Sequence, residues 1–195
     1  MQHRGIVIPF FVTLSLLALP LGGARAQDSR VMSRFPAPVA TRVNALVDSA
    51  LRAGLPTEPI VLRALEGHAK GIDPDRIVAA LSRLRMALQV ARAALGPASS
   101  TIELTTAAAA LQAGVAEQRL VELHQIRGTQ SVTTPLGAYL DLVARGAQPD
   151  RAWAHVANLA RRRAGDAEFV RLMPRDVERT VAEPRTSNAT GTGTP

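Results

Sequence analysis

The sequence predicts an all-α fold, an irregular array of about seven to eight short helices joined by Gly/Pro corners, a bundle of helical-repeat-like character. Three observations lead to it. From Val39 onward, apolar residues recur at the spacing of amphipathic helices. Cysteine is absent and aromatic residues are scarce, so the core must be Leu, Val, Ile and Ala, a composition that suits closely packed helices. Finally, Gly71-Ile72-Asp73-Pro74-Asp75-Arg76-Ile77-Val78 reads as a helix stop, a joint and a helix start, and related segments begin at Gly54, Gly114 and Gly146.

Aligned on glycine, the four segments are GLPTEPIV, GIDPDRIV, GVAEQRLV and GAQPDRAW. Four positions after the glycine stand Glu58, Asp75, Gln118 and Asp150. The three acids fall in the first helical turn, where the helix dipole favours negative charge. Apolar pairs open the buried faces six and seven positions on: Ile60-Val61, Ile77-Val78, Leu120-Val121 and Ala152-Trp153. Gly54, Gly71, Gly114 and Gly146, with Pro74 and Pro149, are therefore structural corners. Their glycine spacings of 17, 43 and 32 residues exclude a strictly periodic solenoid.

The first helix places Val39, Val43, Leu46, Val47, Ala50 and Leu51 on one stripe and stops at Gly54. A second is predicted over Glu58 to Ala69, with Ile60, Val61, Ala64 and Leu65 inward. The third and longest runs from Pro74 to Leu95, where Gly96-Pro97 breaks it. Ser99, Ser100 and Thr101 offer caps for a fourth helix, whose Thr105 to Ala113 is Ala-rich, and a fifth covers Ala116 to Ile126. Arg127 to Thr134 mixes Gly with polar and β-branched residues, and is expected to be a loop and the most mobile interior segment. Pro135 opens a sixth helix, 136–145. Pro149 opens a seventh, which ends in Arg161-Arg162-Arg163, and Gly165-Asp166 starts a short eighth through Met173.

The ends read differently. Residues 1–26 combine a basic start, an apolar run and Ala24-Arg25-Ala26, the pattern of a signal peptide cleaved near Ala26-Gln27. Residues 27–36 are expected to be a flexible leader, 37–173 one helical domain, and 174–195 a disordered tail of low-complexity composition. No stretch after the signal is long and apolar enough to span a bilayer. These features predict an exported protein, periplasmic or extracellular, stabilised by apolar burial without disulfides.

The chain holds 23 Lys and Arg against 16 Asp and Glu, and Lys70 is its one lysine. The basic excess comes without aromatic stacking residues, which argues against nucleic acid as the partner. Another envelope protein or an anionic envelope polymer is the expected partner class. For binding, the candidates are the Arg161, Arg162 and Arg163 run with the Arg127–Thr134 loop beside it, and the aromatic pair Trp153 and Tyr139. The competing structural readings are a cationic helix end and a core plug in an Ala-rich bundle. A metal site would be His124 and His155 with Glu122 or Asp141, although no recognised ligand spacing supports it. No nucleophile elbow, candidate thiol or phosphate loop is present, and no cofactor is implied. The sequence thus favours a non-catalytic binding or scaffold protein of the cell envelope, with a metal-binding protein or hydrolase built on His124 and His155 as the alternative.

Overall fold

A computed structural model describes residues 29–31 and 33–179, and all regular structure among them is helical. The helices are α1 (Ala37–Arg52), α2 (Glu58–Ala69), α3 (Pro74–Leu95), α4 (Thr101–Gln112), α5 (Glu117–Arg127), α6 (Thr133–Ala144), α7 (Pro149–Arg161), α8 (Asp166–Val170) and α9 (Pro174–Arg179). The predicted signal peptide and residues 180–195 lie outside the described residues.

Among the described residues, the closely packed pairs are one or two places apart in the chain. Odd-numbered helices form one row, α1 against α3, α3 against α5, α5 against α7 and α7 against α9. The facing row contains α4 against α6 and α6 against α8. Helices α2 and α4 are not among the closely packed pairs, although both pack on α3. The apolar stripes meet between the rows, where Ile60, Leu81, Leu88, Leu104, Leu120, Leu136 and Leu142 are fully buried. Buried alanines at 107, 108 and 110 of α4, and at 152, 157 and 160 of α7, keep the rows close.

The four glycine corners share one hydrogen-bond pattern. At the first, Gly54 N–H donates to Leu51 O and Leu55 N–H to Ala50 O, which satisfies carbonyls the helix end would leave open. The same two bonds recur after α2, α4 and α6, with glycine φ between 65° and 97°. A fifth corner follows α7. Arg163 N–H donates to Ala160 O and Ala164 N–H to Leu159 O, and Arg163 takes φ 57° where the other corners have glycine. Its sequence, RAGDAEFV, even continues the pattern, with Phe169 buried six positions on. Because an L-residue is strained there, Arg163→Gly is expected to stabilise the fold by about 1 kcal/mol. Thermal melts of the two chains check this.

Starting signals act as read. Asp73 Oδ1 accepts from the N–H groups of Asp75 and Arg76 ahead of Pro74. Ser100, one of the three expected caps, forms a capping box with Glu103 and starts α4 at Thr101. The acids after the corners do more than meet the helix dipole. Asp75 pairs with Arg42 of α1 at 2.6 Å and Asp150 with Arg119 of α5 at 2.9 Å, so each ties an odd-row helix to the next.

Three predicted boundaries need correction. The leader is not free: Val31 and Phe35 are buried in the core, Phe35 stacks against His68, and Arg30 pairs with Glu58 of α2. The predicted tail begins too early, because residues 174–179 form α9, which packs on α7, and Val177 is buried. The predicted 127–134 loop shrinks to 128–132, since Arg127 closes α5 and Thr133 opens α6. It is also braced. Arg127 Nε donates to Ser131 O, and Ser131 Oγ donates to Glu103 of α4.

Candidate functional site

The gap in the second row leaves α3 uncovered between α2 and α4, and a groove of about 690 Å³ lies there. Pro59, Leu62, Arg63 and Glu66 of α2 form one wall. Ala80, Arg83 and Leu84 of α3 form the floor, and Gln112 at the end of α4 closes it. A smaller recess of about 100 Å³ continues past Gly67 to Lys70, Ile72 and Arg76.

Two local features build this groove. Gly67 lets α2 approach α3 closely: a Cβ there would stand 2.9 Å from Ile77 Cγ1. Leu62 lies off the apolar stripe of α2 and is 54% exposed, so it faces the groove rather than the core.

The charges in the groove are unequally satisfied. Glu66 accepts from Arg63 at 3.1 Å and from Lys70, and these two cations, Lys70 foremost, hold its carboxyl below the usual carboxylate range. Arg76 and Arg83 are exposed and make no ion pair among the described residues. They stand seven residues apart on α3, two helical turns, so both guanidinium groups leave the helix on one side. The groove thus combines apolar Leu62, Ala80 and Leu84 with two uncommitted positive charges, suited to an apolar ligand carrying acid groups.

The residues singled out in the sequence are placed elsewhere and do not converge. Arg161 is paired with Glu122 at 2.6 Å, Arg162 ends α7, and Arg163 forms the strained corner. Arg127, at the other side of that expected basic face, is buried and turned inward to Asp166. Tyr139 and Trp153 do meet, edge to face with centroids 6.0 Å apart, but inside the core. Tyr139 is 1% exposed and its hydroxyl donates to Ala113 O, while burial pushes its phenol pKa up. The Arg119 guanidinium lies 5.9 Å from the Trp153 ring, so that face is covered as well. The pair is the core plug of the structural reading, not a ligand-facing surface.

For the metal alternative, the acids are engaged: Glu122 by Arg161, and Asp141 by both Nε and Nη2 of Arg145 at 3.0 Å. Among the described residues, no group of three or more His, Asp or Glu is placed to hold a metal ion. His124 instead lines a hollow with Ser99, Glu103 and Gly128. Glu103 is committed there to capping. The Ser100 backbone N–H, with help from Ser131 and the Ser100 hydroxyl, holds its carboxyl below the usual range. A group with a depressed folded pKa stabilises the fold above its unfolded value, about 4.3, and the contribution is lost as pH falls through the folded value. Melting temperature is therefore expected to fall with acid below about pH 4.3, and Glu103→Gln to flatten part of that slope.

Arg76, Arg83 and Leu62 were not among the sequence candidates. Their signal was present, as an apolar residue off its stripe and two arginines seven apart, but it acquires meaning only once α2 and α4 are known to stand apart. No protein-family model, curated protein or solved structure matches this chain.

Proposed function

We propose that this is an exported, non-catalytic binding protein of the cell envelope, and that it holds its partner in the groove over α3. The observation that carries the proposal is the groove over α3, which sets Leu62, Ala80 and Leu84 beside Arg76 and Arg83, two cations that make no ion pair among the described residues. Among the described residues the carboxylates named above are taken up in caps and ion pairs, and no group of three or more His, Asp or Glu is placed to hold a metal ion. Export is supported by the signal-like pattern of residues 1–26. No helix among the described residues is long and apolar enough to cross a membrane.

A photoreactive side chain at position 62, introduced in the full chain in the host that encodes it, tests the proposal. Position 170, 75% exposed on α8 and away from the groove, is the control. The expected result is a chain beginning at Gln27 in the exported fraction, and a discrete adduct from position 62 with none from 170. An unprocessed intracellular chain overturns the export assignment. Equal labelling at both positions, or none at 62, overturns the groove assignment.

A further inference from the structure

Resting on the groove assignment above, we infer that the occupant is an amphipathic helix of a partner protein, bearing two carboxylates seven residues apart beside an apolar stripe. The first argument is position. The even row is packed from α4 to α8, and its interruption lies between α2 and α4. A helix laid over α3 in that interval would contact helices on its floor and both sides, and would extend a row already made of helices.

The second argument is charge. Glu66 already serves Arg63 and Lys70, so Arg76 and Arg83 are the cations of the groove left for a ligand. Their seven-residue separation is a rise of about 10 Å along α3, and the two positions differ by only about 20° around the helix. A partner helix lying roughly along α3 presents the same interval when its own acids stand at i and i+7. Apolar residues at i+3 and i+4 then fall between them, facing Leu62 and Leu84. A lipid headgroup or an anionic polymer could neutralise either arginine, but neither needs this interval. Spacing is therefore the variable that separates a helix from other anions.

The experiment is a selection from displayed helical peptides of about 18 residues, with acid and apolar positions randomised, against the folded full chain. The expected winners carry Asp or Glu pairs at i and i+7 flanking an apolar stripe. The double variant Arg76→Glu/Arg83→Glu should bind the winner about tenfold more weakly, and a peptide with both acids changed to Arg should recover that loss. Both side chains are exposed, and an unchanged melting temperature of the double variant confirms that folding is not the cause. The inference is overturned if no helical peptide is selected, if the acids favour other spacings, or if charge reversal leaves affinity unmoved. Binding of phosphatidylglycerol vesicles with the same arginine dependence, without peptide winners, assigns the groove to a lipid headgroup and also rejects the helix. A site-specific adduct at position 62 with failed peptide selection retains the groove and removes the helix, whereas failure of both removes both.

Discussion

Arg127→Ala is expected to lower stability by about 3 kcal/mol, seen as a fall in melting temperature of about 10 °C. The guanidinium is buried and has four neighbours. Nη2 donates to Asp166 at 3.0 Å, Nε to Ser131 O at 3.1 Å, and Nη1 reaches Ala164 O at 3.5 Å. Its carbon lies 5.5 Å from the centre of the buried Phe169 ring. One side chain thus joins the end of α5, the 128–132 link, the corner at Arg163 and α8. Truncation removes the donors from two carbonyls and opens a cavity beside Phe169. Arg127→Met keeps the apolar stem and should cost about half as much, which separates packing from hydrogen bonding. Asp166 is 61% exposed and returns to water when its partner is lost, so it adds little to the penalty. Equal melting of the Ala variant and the native chain would refute the role given to Arg127.

Gly67→Leu is expected to destabilise by about 2–3 kcal/mol, through overpacking where α2 meets α3. Ile77 is buried, and its Cγ1 and Cδ1 would stand 2.9 Å and 3.1 Å from a new Cβ. Gly67→Ala should cost less than Gly67→Leu, because the gain in helix propensity of about 1 kcal/mol offsets part of the crowding against Ile77 Cγ1. Ile77→Ala should rescue much of the Gly67→Leu loss, giving a strongly non-additive double-mutant cycle in chemical denaturation. Strict additivity would show that the two positions are not in contact. Because these residues also line the recess of the groove, Gly67→Leu should weaken any groove ligand as well.

Much of this architecture could be read locally. Helices α2 and α3 have the predicted ends, because Gly71, Asp73 and Pro74 act through bonds to their own chain neighbours. Short segments failed where a single distant contact decides. Val31 and Phe35 order the leader, and Val177 orders α9, by insertion into a core assembled elsewhere. The fifth corner was hidden because Arg163 occupies a conformation that usually announces itself as glycine. The sequence reads Arg127 as a loop residue because polarity signals exposure, whereas its partner Asp166 stands thirty-nine positions away. The candidate site was the least legible part. Arg161, Tyr139 and Trp153 are conspicuous in sequence, but the first is ion-paired and the other two fill the core. The groove lies between two helices that are not among the closely packed pairs, and no residue pattern within either helix records that.

The contact between Tyr139 and Trp153 has an optical consequence. They are the chain's one tyrosine and one tryptophan, so all of its usable intrinsic fluorescence originates at the junction of α6 and α7. Emission will report the melting of that junction and remain blind to events around α1, α2 and α3. Far-ultraviolet dichroism weights every helix. If the two signals part during denaturation, the half bearing the groove opens independently of the half that emits.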